Sequence, residues 1–319
     1  MSPEEFIKRR IVSLKKTSAS ASSGDLVQDI FKIVMSHKFR KYSVTPEYKE
    51  HIRGAITKSV KNKAPIPLVW VLGGYKLWSL PQAPEADWAE LFSLMYFVDW
   101  LKPILSIYEP GVWFDFFSDD VIVPLMNNID PNDTKRYIES FQKLLNFISL
   151  KLPKGFRFTL NRVGDQYVTQ DVFKKELKEN IAKLTAERKT EAKPLTEKQI
   201  AAIDLNVKVT DVQKKDPYWR DKIQIIHDAY SLASKRRPYY RNPEKIMVLS
   251  APAPSLIAVG TTKTSVVKFW VGAGALEKRD DGYIERILSP KQLAETTLKE
   301  VPVRIPGLPG QNFSSISII

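Results

Sequence analysis

Cysteine is absent from the 319 residues, which excludes disulfides, thiolate metal sites, iron–sulfur centres and a cysteine nucleophile together. Histidine is scarce. His37, His51 and His227 are the whole set, and no two stand at metal-ligand spacing. A Gly-x-Ser-x-Gly elbow, a Walker lysine loop and a Gly-x-Gly-x-x-Gly fingerprint are also missing. Long hydrophobic runs are missing too: those near residues 66–74 and 266–276 reach about ten residues, half of what a membrane span needs. The run Ile11 to Leu14 is shorter than the apolar region of a secretory leader and is followed by Lys15 and Lys16, so a cytoplasmic protein with no membrane partner is expected. No repeat of solenoid or propeller period is present.

What is there suffices for a buried core, with 43% hydrophobic residues. Lys and Arg number 49 against 36 Asp and Glu, a net charge of +13, which invites a nucleic-acid or anionic-surface reading. The charge is unevenly placed. Residues 1–63 carry +8, residues 64–130 carry −7, and the rest carries +12. An acidic, aromatic-rich stretch lies between two basic ones.

The pattern predicts a basic helical N-terminal region over 1–63, with helices from Asp25 through the basic stretch His37–Lys41 and over about Pro46 to Val60. Ile66 to Leu72, ended by Gly73-Gly74, reads as a buried strand. Pro84, Glu85 and Asp87 open a helix with Trp88, Leu91, Phe92 and Met95 on one face, and Pro103 interrupts its far end. Val112 to Phe117 is a strand and Asp133 to Leu150 a helix. This order points to an α/β fold, a Rossmann-like parallel or mixed sheet flanked by helices, over residues 64–300. Residues 171–215 read as a charged helical insertion, because 13 of the 25 residues from Lys174 to Lys198 are charged. A capping box at Thr196-x-x-Gln199 starts one of its helices. Trp219 to Ser234 reads as helix, Ile246 to Leu249 and Val266 to Val271 as strands, and Asp280-Asp281-Gly282 as a hairpin turn. Residues 301–319, rich in proline, read as an irregular tail.

Parallel sheets bind ligands beyond the carboxyl ends of their strands. Two loops qualify. In the first, Gly73 and Gly74 allow close backbone approach, Tyr75 follows, and Lys76 offers a point charge for phosphate or carboxylate. The plain alternative is a glycine turn with a solvated lysine. In the second, Ser118, Asp119 and Asp120 can hold hydroxyls or a cation, or supply a general base; they also read as a hydrogen-bonding turn. Asp115, inside the strand, needs a partner if buried. Asp87 and Glu90 lie one helical turn apart, as directed carboxylates or as favourable first-turn charge. Arg157, Arg162, Lys235, Arg236, Arg237 and Arg241 could embrace an anion, with Tyr239 and Tyr240 for stacking, or serve as solvated charge. Gly272-Ala-Gly274 looks like a fragment of a dinucleotide loop.

The order Pro65-Ile66, strand, Gly74-Tyr-Lys76, Pro84-x-x-Asp87-x-x-Glu90, Tyr108-x-Pro110-Gly111, Ser118-Asp119-Asp120-Val121-x-Val123, Asp130 and Tyr137 resembles the isonitrile (isocyanide) synthase family over residues 64–150. The resemblance implies a Rossmann-like enzyme that joins an amino acid to ribulose 5-phosphate and makes the isonitrile with no cofactor and no metal. Lys76 stands where the family's lysine engages the sugar phosphate or its carbonyl, Asp119 at its Ser-Asp position, and Asp87 with Glu90 at its helix-start acids. The family's Ser-Pro-Asn is Leu77-Trp78-Ser79 here, the glycine after its aspartate is Asp120, and Val266–Gly272 holds Trp270 without the family's histidine.

The expected catalytic residues are Lys76, Asp119 and Asp120. Gly74, Tyr75, Asp87, Glu90, Ser118, Arg157 and Arg162 are expected to bind a small anionic substrate, a sugar phosphate with an amino acid or amine. Two other readings stand beside this one. Basic flanks could contact nucleic acid, or Asp115, Asp119 and Asp120 could hold Mg²⁺ or Mn²⁺ in a transferase.

Overall fold

The computed structural model describes residues 1–17, 23–73, 76, 84–127, 129–163, 170–190, 194–207, 209–235, 244–251 and 255–319. Three helices come first: α1 (Pro3–Val12), α2 (Leu26–Val34) and α3 (Pro46–Lys61). Each begins on a side chain that accepts a free first-turn amide, from Ser2, Asp25 and Thr45 respectively. The α2 helix ends before His37, so the basic stretch behind it is not helical; Arg40 instead makes a lone β-bridge with Val259.

The chain then alternates between β1 (Ile66–Leu72), α4 (Trp88–Leu101), β2 (Val112–Ser118), α5 (Val123–Asn127), α6 (Pro131–Ser149) and β3 (Phe156–Arg162). The charged stretch 171–215 follows as α7 (Gln170–Thr190), α8 (Glu197–Asn206) and α9 (Asp211–Lys214); α10 (Trp219–Lys235) comes after it, and the chain returns to β4 (Ile246–Leu249) and β5 (Ile257–Ala258). These strands form a parallel sheet in the order β3-β2-β1-β4-β5. The order reverses between β1 and β4, the place where such sheets open a ligand crevice at the strands' carboxyl ends. Register makes those ends level, with Leu72 beside Ser118 and Ser118 beside Arg162.

Alternation along β2 sorts its side chains. Phe114 and Phe116 enter an aromatic layer with Phe97, Phe141, Phe158 and Phe269, with Phe97 stacked on Phe114 at 5.0 Å between centroids. Trp113 and Asp115 take the other face, where Asp115 finds the partners its burial demands: Lys245 Nζ at 2.9 Å, Thr159 Oγ1 at 2.5 Å and Asn161 Nδ2 at 2.7 Å.

The α4 helix is buried all round, with Asp99 its one residue outside the buried class. The single apolar face suggested by its spacing is therefore too narrow a description. A second sheet covers its other side, built from β6 (Ala273–Arg279) and β7 (Gly282–Leu288), then, after α11 (Pro290–Glu295), from β8 (Lys299–Pro302) and β9 (Ser315–Ile318), in the order β7-β6-β9-β8. The tail expected to be irregular thus completes a sheet. Its prolines flank the strands, and Pro302 ends the edge strand β8, where the missing amide is tolerated.

Val266–Val271 is not a strand. Val271 and Gly272 donate their amides to Lys268 O, making a turn that drives Phe269 and Trp270 into the core beside Trp70. A short apolar run does not distinguish the two by periodicity. Gly274 is a packing glycine and no dinucleotide loop, because a Cβ there would lie 2.4 Å from Trp88 C, Trp88 Cβ and Ala89 N in the first turn of α4. No helix among the described residues is long and apolar enough to cross a membrane.

Candidate active site

The first turn of α4 is the centre of the site. Asp87 caps the helix by accepting Ala89 N at 2.6 Å, while Glu90 Oε2 accepts Asp87 N at 2.7 Å, a reciprocal capping box. Both carboxylates also meet Lys76. Its Nζ lies 2.9 Å from Glu90 Oε1, 3.1 Å from Asp87 Oδ1 and 2.9 Å from Phe269 O, so its three hydrogens have three acceptors. Tyr137, from α6, donates to Glu90 Oε1 at 3.1 Å. Lys76 and Glu90 side chains are 1% and 0% exposed; the lysine is not the solvated one of the plain reading.

Two carboxylates and one ammonium in the interior leave one negative charge in excess. Burial therefore pushes Glu90 up to about 8, with Asp87 adding and Lys76 opposing. For Lys76, burial alone would lower the value, but Asp87 and Glu90 outweigh it and hold the amine above its ordinary range. A proton on Glu90 makes the cluster neutral. Because the folded value exceeds the ordinary 4.5, Glu90 contributes stability in full below about pH 4.5 and loses it as the pH rises through 8. The urea midpoint is thus expected to fall between pH 6 and pH 9 in the native chain and to fall less in Glu90→Gln. An equal fall in both would remove Glu90 as the cause.

At the end of β2, Asp120 Oδ2 accepts from Arg162 Nε at 2.8 Å and also from the same guanidinium's Nη2, a forked contact on one oxygen set up by the level ends of β2 and β3. Ser118 Oγ lies 3.3 Å from Asp120 Oδ1 and accepts Asp120 N at 3.2 Å, the turn foreseen for this loop. Asp119 is half-buried; its amide donates to Leu72 O at 2.8 Å and its carboxylate accepts the Tyr230 hydroxyl of α10. The three aspartates proposed as metal ligands do not converge, since Asp115 is tied to Lys245, Asp119 to Tyr230 and Asp120 to Arg162. Among the described residues no group of three potential ligands could hold a metal ion.

Arg157 does not join this edge. Five residues of strand, about 17 Å, separate it from Arg162, and their opposite parity sends them to opposite faces. Arg157 instead lies over the Trp113 ring at 4.9 Å, with Lys245 at 4.2 Å from the same ring. Gly74, Tyr75, Arg236, Arg237, Tyr239, Tyr240, Arg241 and the Lys235 side chain lie outside the described residues. Sequence reasoning missed Tyr230, whose partner Asp119 is 111 positions away, and the Phe269 carbonyl. No motif marks either.

No family model matches this sequence, and neither does any curated protein. Among solved structures the chain is similar to the PvcA protein from Pseudomonas aeruginosa, with a TM-score of 0.63 over 92% of this chain and 99% of that one. The two chains share a fold. Their sequences are 15% identical, so the likeness is one of fold and carries no residue roles with it.

Proposed function

We propose that this chain is a small-molecule enzyme resembling the isonitrile synthases, acting on an anionic metabolite such as a sugar phosphate together with an amino acid or amine. The buried cluster of Lys76, Asp87, Glu90 and Tyr137 carries this reading. Asp87 and Glu90 cap α4, but capping alone does not call for a buried lysine between them, and strongly perturbed, buried ionisable groups cluster at functional sites. The order of motifs over residues 64–150 and the likeness in fold to PvcA support the same reading.

The residues divide the work by their surroundings. Lys76 meets the phosphate or carbonyl of the substrate, and Glu90, near 8, is the group that trades a proton with it at neutral pH. At neutral pH Glu90 is mostly protonated, which weakens its hold on the lysine, so an incoming anion can take over one of the lysine's hydrogens without a further proton. Asp119, reachable and oriented by Tyr230, serves as general base, with Asp120 fixed by Arg162 behind it. Arg162, 38% exposed along its side chain, retains surface for a second anion.

The decisive experiment is calorimetric titration of the whole chain with ribulose 5-phosphate, followed by mass spectrometry of mixtures that also contain single amino acids. Saturable binding and a product lacking the free amine are expected, with both weakened at least about tenfold in Glu90→Gln. A flat titration and unchanged amino acids would sink the proposal.

A further inference from the structure

A cavity of about 640 Å³ opens beside the Asp120–Arg162 pair, between α5, the first turns of α6, and α7. Its walls are Val121, Pro124, Leu125, Ile138, Leu177 and Ile181, and among the described residues no aromatic side chain lines it. The volume lies in the range of pockets that enclose a ligand much larger than one amino acid. Aliphatic walls without a ring to stack on favour a saturated chain over an aromatic one.

Four cations, Lys135, Arg162, Lys174 and Lys178, line this cavity against two carboxylates, Asp120 and Glu139, and Asp120 is taken up by Arg162. Lys174 and Lys178 line it from α7, one turn apart and exposed, and neither makes an ion pair among the described residues. Like charges at this spacing disfavour a helix unless an anion joins them. Lys135 lies across from them on α6, only loosely balanced by Glu139 at 3.9 Å. Within the wall, the Thr134 hydroxyl is buried and has no hydrogen-bond partner, an arrangement that native interiors rarely keep without a use. Leu125 is 49% exposed, an apolar side chain left facing an opening.

We propose that this cavity binds an aliphatic carboxylate, its alkyl chain between α5, α6 and α7 and its head at Lys174 and Lys178. This rests on the function proposed above in one respect: the cavity shares Asp120 and Arg162 with the candidate active site, so the aliphatic acid is part of that site's substrate or product. The reacting amine component then carries a long saturated acid.

The test is calorimetric titration of the full chain with dodecanoate, dodecyltrimethylammonium and indole-3-acetate. Dodecanoate is expected to bind saturably, and the cationic and aromatic probes at least about tenfold more weakly. The exposed double variant Lys174→Glu/Lys178→Glu and the half-exposed Leu125→Glu are each expected to weaken dodecanoate by about tenfold or more with little change in melting temperature. A flat dodecanoate titration, equal binding of the cationic probe, or affinity unmoved in both variants would overturn the assignment. Glu90→Gln is expected to leave dodecanoate binding intact. Dodecanoate binding without sugar-phosphate binding therefore removes the proposed reaction and keeps the cavity; the reverse result removes the cavity and keeps the reaction.

Discussion

Replacing Lys76 by methionine is expected to lower the free energy of unfolding by about 3–5 kcal/mol, the range for removing one partner of a buried ion pair. Asp87 and Glu90 would then share the first turn of α4 with no cation, both within the core. Their remaining donors, the amides of Ala89 and Asp87 and the Tyr137 hydroxyl, cannot supply the missing charge. The loss should also depend on pH in a defined sense. Without Lys76, the carboxyl protons are held more tightly in the folded state, so the variant recovers stability in acid and loses it more steeply than the native chain as the pH rises from 5 to 8. Adding Glu90→Gln to the variant removes one of the two stranded charges and is expected to restore part of the loss. Urea denaturation of the four chains across that pH range measures all of this. A loss below about 1 kcal/mol, the value for an exposed pair, would mean that Lys76 is not sealed as described.

Gly274→Ala carries the second large effect, although it adds a single methyl group. The new Cβ would lie 2.4 Å from backbone atoms of Trp88 and Ala89, which belong to a helix packed on every side. Overpacking of this sort costs about 3 kcal/mol or more when backbone must move. The displacement is directed, because those atoms belong to the turn that carries Asp87 and Glu90. Hydrogen exchange at the first-turn amides of α4 should quicken more than elsewhere, and Glu90→Gln should lose its distinct pH signature in this background. Gly54→Ala is the control. Gly54 lies exposed in α3 with nothing within 4 Å of a new Cβ, so there the helix gains up to about 1 kcal/mol. If both variants had the same stability, close approach at β6 would not be what positions the site.

Those two positions also mark the limits of reading the fold from the sequence. Elements with a strong local signal came through: the continuous apolar run 66–72 is β1, Val112 to Phe117 is β2 save one residue, and Thr196-x-x-Gln199 is a capping box. Asp87 and Glu90 were legible as a helix start, since capping depends on neighbours three positions apart. Their burial was not, because it depends on β6, about 185 positions later, reaching the same turn. The Val266–Val271 run shows the same limit, since what buries it lies in distant strands. Arg157 failed for a different reason. Its charge was visible, but the parity and length of β3 put it at the wrong end of the sheet. Tyr230 depends on the packing of α10 against a strand end, and nothing in a helical pattern announces that.

Trp88 donates its indole N–H to Ser315 O across 227 positions, and this has a consequence for how the chain is made. The α4 helix leaves the ribosome as an almost uniformly apolar segment, with the strands that cover it still unsynthesised. Until β6 and β9 arrive, its outer side is as sticky as its inner one. The nascent protein is therefore expected to be a client of holding chaperones for most of its translation, and the Lys76–Asp87–Glu90 cluster acquires its dry, charged character in one of the last steps of folding.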